Sequence, residues 1–275
     1  MTDTMTMTQT AFSGETTVKK GVPGSTLKLI AIVAMLIDHI GAVILQRILI
    51  NNGLLALDHS NIEKAMDFLQ NSGLLPLLIV YLIIRLIGRL GFPIFCFLLI
   101  EGFMYTRNVW KYAFRLLLFA FISEVPFDLS TSGFLFTTHY QNVFFTLFLG
   151  LCSLIAIKFI EDKFNSNAII KYLLIVPSAI LFMGAAHFLN TDYGAMGVLT
   201  IVVMYLLRNN KVSEMTWGCV ILTAMSVMEV TAFFTLIPIS KYNGERGLNL
   251  KYVFYAFYPV HLIILYFIAY LMGLA

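Results

Sequence analysis

An all-α, polytopic membrane bundle is the fold class this sequence predicts, and three observations carry the prediction. The 275 residues are 59% hydrophobic and only 12% charged, about half the charged share of a soluble domain. Mean hydropathy is +0.86. Apolar runs fill most of the chain without the every-second-residue alternation of a membrane barrel, so the spanning elements are helices.

The elements follow in order. Residues 1–24 are polar and Thr-rich, with Lys19 and Lys20, and read as a disordered cytoplasmic tail. Residues 25–275 read as one transmembrane domain. The first apolar run is long and lacks a small-residue cleavage pattern after it, so a signal peptide is not expected. Expected spans are 28–48, 92–106, 112–127, 138–160, 168–188, 193–207, 216–237 and 252–273. Segment 74–90 is apolar but broken by Arg85 and Arg89, and reads as an embedded or re-entrant helix.

Eight crossings then leave both termini inside; nine result if 74–90 also crosses. Lys and Arg in short loops set the orientation. Lys19, Lys20 and Lys28, then Arg107, Lys111 and Arg115, then Lys158, Lys163 and Lys171, then Arg208 and Lys211 fall on one side. The loop 48–73 is acidic through Asp58, Glu63 and Asp67, and falls on the other. On this scheme Lys241, Arg246 and Lys251 lie outside, against the trend.

Several function classes drop out. No Lys/Arg-rich run points to nucleic acid. Cys96, Cys152 and Cys219 are scattered through apolar runs, which argues against a disulfide framework and a zinc site. No metal is expected. Zincin, Walker and GxSxG patterns are absent from the sequence.

Candidate chemistry begins at Asp38-His39. If Ser25 caps a helix that enters the membrane near Lys28, Asp38 lies about 15 Å along it, near the middle of a hydrocarbon layer roughly 30 Å thick. Ionisable groups at that depth cost several kcal/mol and usually face a partner or a cavity. Neighbours on a helix point about 100° apart, so each needs its own partner. A neutral histidine there is a competent general base. Arg85 and Arg89 share a helix face and need anionic partners, Asp38 or Glu101 among them. Arg107, Lys111 and Arg115 form an i, i+4, i+8 ladder suited to phosphate groups; Arg115 alone is pushed into an apolar run. Glu124, Asn142, Asp192-Tyr193, Glu229 and His261 are further single polar groups in or near spans. Each alone is commonly a structural hydrogen-bonder, but together they offer polar groups to a shared interior.

Several stretches, in order and across nearly the whole chain, carry a resemblance. They are Asp38-His39-Ile-Gly41, Gly88-Arg89 to Pro93, Glu101-Gly102-Phe103, Arg107-Asn108 to Tyr112, Arg115, Ser123-Glu124-Val-Pro126-Phe127, Asn142 to Thr146, Asp192-Tyr193-Gly194 and Lys251-Tyr252 to Leu262. In these the chain resembles the TraX family, membrane proteins named after the enzyme that acetylates the amino terminus of pilin. More loosely it is similar to the wider class of transmembrane acyltransferases, whose Gly-Phe helix ending in Thr-Arg is echoed by Gly102-Phe103 to Thr106-Arg107.

The resemblance implies a bacterial cytoplasmic-membrane acetyltransferase using acetyl-CoA. His39 would be the base, with Asp38 or Glu101 fixing its tautomer and Arg85 or Arg89 stabilising the oxyanion. Arg107, Lys111 and Arg115 would meet the phosphates of coenzyme A. Arg85, Glu124, Asn142, Asp192, Tyr193 and His261 are candidates to hold a membrane-associated protein, lipid or glycan acceptor through an amine or hydroxyl. The alternative is a proton-coupled transporter or channel using the same buried groups; a scaffold for other membrane proteins explains them least well.

Overall fold

A computed structural model describes residues 20–53, 62–249 and 251–274. Most of the expected disordered tail, and Asp58 of the acidic loop, lie outside the described residues. The helices are α1 (Gly24–Ile40), α2 (Gln46–Asn51), α3 (Ile62–Asn71), α4 (Leu75–Gly88), α5 (Gly91–Tyr105), α6 (Val109–Ser132), α7 (Val143–Lys163), α8 (Ala168–Phe188), α9 (Gly194–Leu206), α10 (Lys211–Met225), α11 (Leu236–Ser240) and α12 (Lys251–Leu271). A π-helical turn, Gly41–Leu45, joins α1 to α2, and a 3-10 stretch, Val227–Thr235, precedes α11.

Gly24–Asn51, Leu75–Tyr105, Val143–Lys163, Ala168–Phe188 and Tyr252–Leu271 are long and apolar enough to cross a membrane, with Gly194–Leu206 and Val227–Ser240 as shorter apolar helices. The chain is therefore a helical multi-pass membrane protein. Asparagines start several helices: Asn108, Asn142, Asn167 and Asn210 each accept from a backbone amide of the first turn, satisfying donors that have no intrahelical partner. Ser25 is not a cap. Pro23 holds that position without a side-chain bond, and the helix begins at Gly24, where the Gly24 and Ser25 amides donate to the carbonyls of Glu245 and Arg246.

Two expected elements are built differently. Segment 74–90 does not stand apart from 92–106. The two form one 31-residue candidate span, interrupted at Arg89-Leu90, because Pro93 offers no amide and its ring crowds the carbonyl of residue 89. Both halves lie antiparallel along α1. A Cβ on Gly88 would collide with Asp38, and one on Gly91 would meet the Ala31 carbonyl at 3.4 Å.

The expected single span 216–237 is two legs that fold back on each other at Ser226. Lys211, at the start of α10, donates to the Tyr242 carbonyl just past α11. That fold-back brings loop 241–249 to the end of the bundle where α1 starts, and Val22 donates to the Lys241 carbonyl there. Lys241 and Arg246 thus join Lys28 and Arg107 at one basic end, and the anomaly in the charge pattern disappears.

The core between these helices is aliphatic and aromatic, with Leu27, Phe97, Leu151, Leu154, Ile201, Met204 and Met215 buried. α8 packs against α7 and α9 while Ile169, Leu173, Ile180 and Leu181 stay exposed, as a lipid-facing helix requires.

Candidate active site

Asp38 and His39 are brought into two separate clusters. Asp38 Oδ2 accepts from Arg85 Nη1 at 2.7 Å and Asp38 Oδ1 from Arg89 Nη2 at 2.9 Å. Arg89 also reaches Glu229 Oε1 at 3.0 Å. The Thr231 hydroxyl fastens the 3-10 leg to the Leu86 carbonyl at 2.7 Å, which holds Glu229 in reach. Two arginines one turn apart therefore join α1, α4 and the 3-10 leg through two carboxylates. Glu101 is not among them: it accepts from the Tyr242 hydroxyl at 2.9 Å, near the basic end. It is too far along α5 to serve Arg85, Arg89 or His39, since ten residues past Gly91 is about 15 Å of helix.

His39 is half-buried and faces α12. Its Nδ1 lies 2.7 Å from His261 Nε2, and His261 Nδ1 lies 2.7 Å from the Phe257 carbonyl. A carbonyl only accepts, so His261 carries its proton on Nδ1 and its Nε2 is bare. With both rings neutral, His39 Nδ1–H must donate to that bare nitrogen. This leaves His39 Nε2 unprotonated, the state a general base needs. His261, 4% exposed, thus orients the His39 ring, where Asp38 or Glu101 was expected. The π-helical turn begins two residues after His39, a distortion common next to functional residues.

A cavity of about 680 Å³ runs from the basic end toward this pair. Lys28, Glu101, Arg107 and Arg246 line its outer part, Tyr112, Arg115 and Tyr255 its middle, and Met35, Val143, Phe144 and Tyr258 its inner part. Met35 is one helical turn before His39. The Tyr258 ring meets His39 at 5.9 Å and His261 at 5.7 Å, edge-on. Arg115 packs over the Tyr112 ring and shares the cavity wall with Tyr255, while its buried Nε has no hydrogen-bond partner. Arg107 precedes the Asn108 cap of α6, so the three-rung ladder does not exist as a helix face. Lys111 is exposed and lies off the cavity wall. Lys28 and Arg246 replace it, through the fold-back that sequence reading missed.

The remaining predicted groups assemble beyond the inner part of the cavity. Asn142 donates to the Ala120 carbonyl at 2.8 Å and to Glu124 Oε2; the other Glu124 oxygen is buried without a partner. The Tyr140 hydroxyl donates to Asp192 at 2.5 Å, and Thr146 donates to the Asp192 carbonyl. Burial pushes the Asp192 carboxyl up, while the Tyr140 hydrogen bond and nearby Arg89 pull it back. Tyr193 stacks on Phe92 at 3.7 Å with a left-handed φ of 63°, a conformation bulky residues adopt only when neighbours enforce it. Among the described residues, no group of three His, Cys, Asp or Glu is arranged to hold a metal ion.

Comparison with known proteins places this arrangement in a family. The family profile described as "TraX protein" matches residues 23–269. The chain is 28% identical over 267 residues to the "Probable fimbrial assembly protein FimC, serogroup H1" of Dichelobacter nodosus, covering 87% of this chain and 92% of that one. It is 22% identical over 230 residues to an uncharacterized protein of Rickettsia prowazekii (strain Madrid E), covering 82% and 73%. No solved structure matches. A profile match over nearly all the bundle, from the start of α1 to the last turns of α12, makes this chain a member of the TraX family.

Proposed function

We propose that the protein is a membrane-embedded acetyltransferase that moves an acetyl group from acetyl-CoA to an amine, or a hydroxyl, of a membrane-associated acceptor. The observation that carries this reading is the His39–His261–Phe257 relay, which leaves a bare imidazole nitrogen on a ring packed against Tyr258, and Tyr258 lines the inner part of a cavity whose outer part is basic. Lys28, Arg107, Arg115 and Arg246 suit the phosphates of coenzyme A, since guanidinium forks match phosphate geometry. Val109 to Ala120, level with the cap of α7 through the Asn142 bond, spans about 17 Å along α6. An extended pantetheine arm is of that order, roughly 15–20 Å.

His39 Nε2 takes the proton of the acceptor as it attacks the thioester directly. The acceptor arrives from the opposite side, where Tyr140, Asp192, Glu124 and Asn142 lie. The Dichelobacter relative is named a probable fimbrial assembly protein, which supports a pilin-like protein amine as the acceptor. The basic end is the cytoplasmic side, on the positive-inside rule, in a bacterial cytoplasmic membrane. Purified protein should gain thermal stability from coenzyme A, with a smaller gain in Arg115→Ala. A proton-coupled transporter built on the same charges gains none, so an unmoved melting midpoint at millimolar coenzyme A rejects the acetyltransferase reading.

A further inference from the structure

We infer that Glu124 is a second proton acceptor of the transfer, taking one proton from a protonated amine before His39 takes the other. The acceptor is then an amine and not a hydroxyl. This rests on the acetyl-transfer reading above. Loop 137–142 ties three carboxylates together beyond the inner part of the cavity. Asp128 Oδ2 accepts from the Thr137 amide at 2.9 Å, Asp192 from the Tyr140 hydroxyl at 2.5 Å, and Glu124 Oε2 from the Asn142 side chain. Among the described residues, none of the three is ion-paired. Glu124 Oε1 and Asp128 Oδ1 stay buried without a hydrogen-bond partner, and Asp128 is 0% exposed. Buried carboxylates elsewhere in the bundle, Asp38 and Glu229, are met by arginines. A cationic donor is what this second group lacks.

Glu124 stands at the depth of the imidazole pair. α6 and α12 both run away from the basic end, and Tyr255 stacks on Phe119 at 4.9 Å, which fixes their register. His261 lies six residues past Tyr255 and Glu124 five past Phe119, so the two share one level to about a turn. Leu116, on the cavity wall, is followed at i+4 steps by Ala120 and Glu124 along one side of α6. From α7, Asn142 bonds Glu124 and also accepts from the Phe144 amide. Phe144 lines the cavity and meets the Tyr258 ring edge-on at 5.1 Å.

Proton count gives this carboxylate its task. An ammonium sheds two protons on becoming an amide nitrogen, whereas a hydroxyl sheds one on becoming an ester. His39 Nε2 holds one proton at a time. The arriving ammonium therefore gives its first proton to Glu124 Oε1, which exposes the nitrogen lone pair. That nitrogen bonds the thioester carbonyl carbon, the C=O electron pair moves onto oxygen, and His39 Nε2 receives the second proton. The C=O bond re-forms, the C–S bond breaks, and the departing thiolate takes the proton from His39. Glu124 returns its proton to water on the acceptor side. The products are an amide, the coenzyme A thiol and one released proton.

Glu124→Gln keeps the bond to Asn142 and removes only the proton acceptor. Membranes of the source cells carrying the full chain are supplied with radiolabelled acetyl-CoA at pH 7 and pH 9. Label that survives neutral hydroxylamine, which cleaves esters and spares amides, is read above membranes carrying His39→Ala. At pH 7 the variant should lose about tenfold or more. At pH 9 the gap from wild type should narrow about tenfold, because a terminal amine with a pKa near 7.7–8.0 goes from roughly a tenth to nine-tenths unprotonated. The coenzyme A-induced rise in melting midpoint of purified Glu124→Gln should match wild type. Labelling equal to wild type at pH 7 overturns the proposal. So does a loss of the same size at both pH values, or a lost coenzyme A response, either of which assigns Glu124 to packing. Label removed by hydroxylamine overturns it as well, since the acceptor is then a hydroxyl. If Glu124→Gln does not fold, Glu124→Ala replaces it and is read in the same way. Wild-type membranes that incorporate no label of either kind above His39→Ala instead reject the acetyl-transfer reading itself.

Discussion

Asp38 and His39 share a peptide bond yet belong to regions built on opposite principles. Around Asp38, both carboxylate oxygens are held by arginines, and Arg89 is held a second time by Glu229. Around His39, one ring nitrogen is committed to His261 and the other is left open. A cluster in which every charge is ion-paired fixes helices inside a bilayer, because any unpaired charge there costs several kcal/mol. A polar group left half-satisfied beside a cavity is the one able to react. On the proposed function, the Asp-His pair is a strut and a base in adjacent positions.

Five substitutions would break or sharpen this contrast, the largest effect first. His39→Ala should cut acetyl transfer by about 10²- to 10⁴-fold, the usual contribution of a general base, while the melting midpoint stays near wild type; an unchanged transfer rate removes the base from the account. Arg89→Ala should do the reverse. It strands Asp38 and Glu229, costing about 3–5 kcal/mol of stability, visible as a collapsed midpoint in detergent, whereas a fully stable variant denies the strut.

His261→Ala should lower transfer by roughly 10- to 100-fold with coenzyme A stabilisation intact, since it frees the His39 ring to turn without emptying the site. Coenzyme A titration of two basic-end variants gives the smallest effects. Arg115→Ala should weaken affinity by about tenfold, near 1.4 kcal/mol for a charge-assisted bond, and Lys111→Ala should leave it unchanged. Equal losses in both would restore the ladder read from spacing alone.

Much of this was legible in the chain. Most span positions followed from apolar run length, and Asp38-His39 stood out because ionisable groups deep in a span demand a reason. Partner choice was not legible. Glu101 looked like a counter-ion for Arg85 or Arg89 because it is the next ionisable position in sequence, but antiparallel packing puts Gly88, not Glu101, beside Asp38. Glu229 replaced it from a leg more than a hundred residues away. The fold-back at Ser226 was hidden because 216–237 has the length and hydropathy of one crossing, and only a 3-10 stretch reveals two. That same fold-back carries Arg246 to the cavity. The pairing of His39 with His261 needed α12 to lie against α1, a tertiary fact that no spacing encodes.

The central claim is that one imidazole, held by a second imidazole, performs the transfer. Its most direct measurement compares acid-stable incorporation of radiolabelled acetyl groups into source-cell membranes for wild type and His39→Ala, at matched amounts of folded protein. Label that appears with wild type and vanishes with His39→Ala, while both purified proteins are stabilised equally by coenzyme A, is the predicted result. Equal labelling by the two proteins would contradict it.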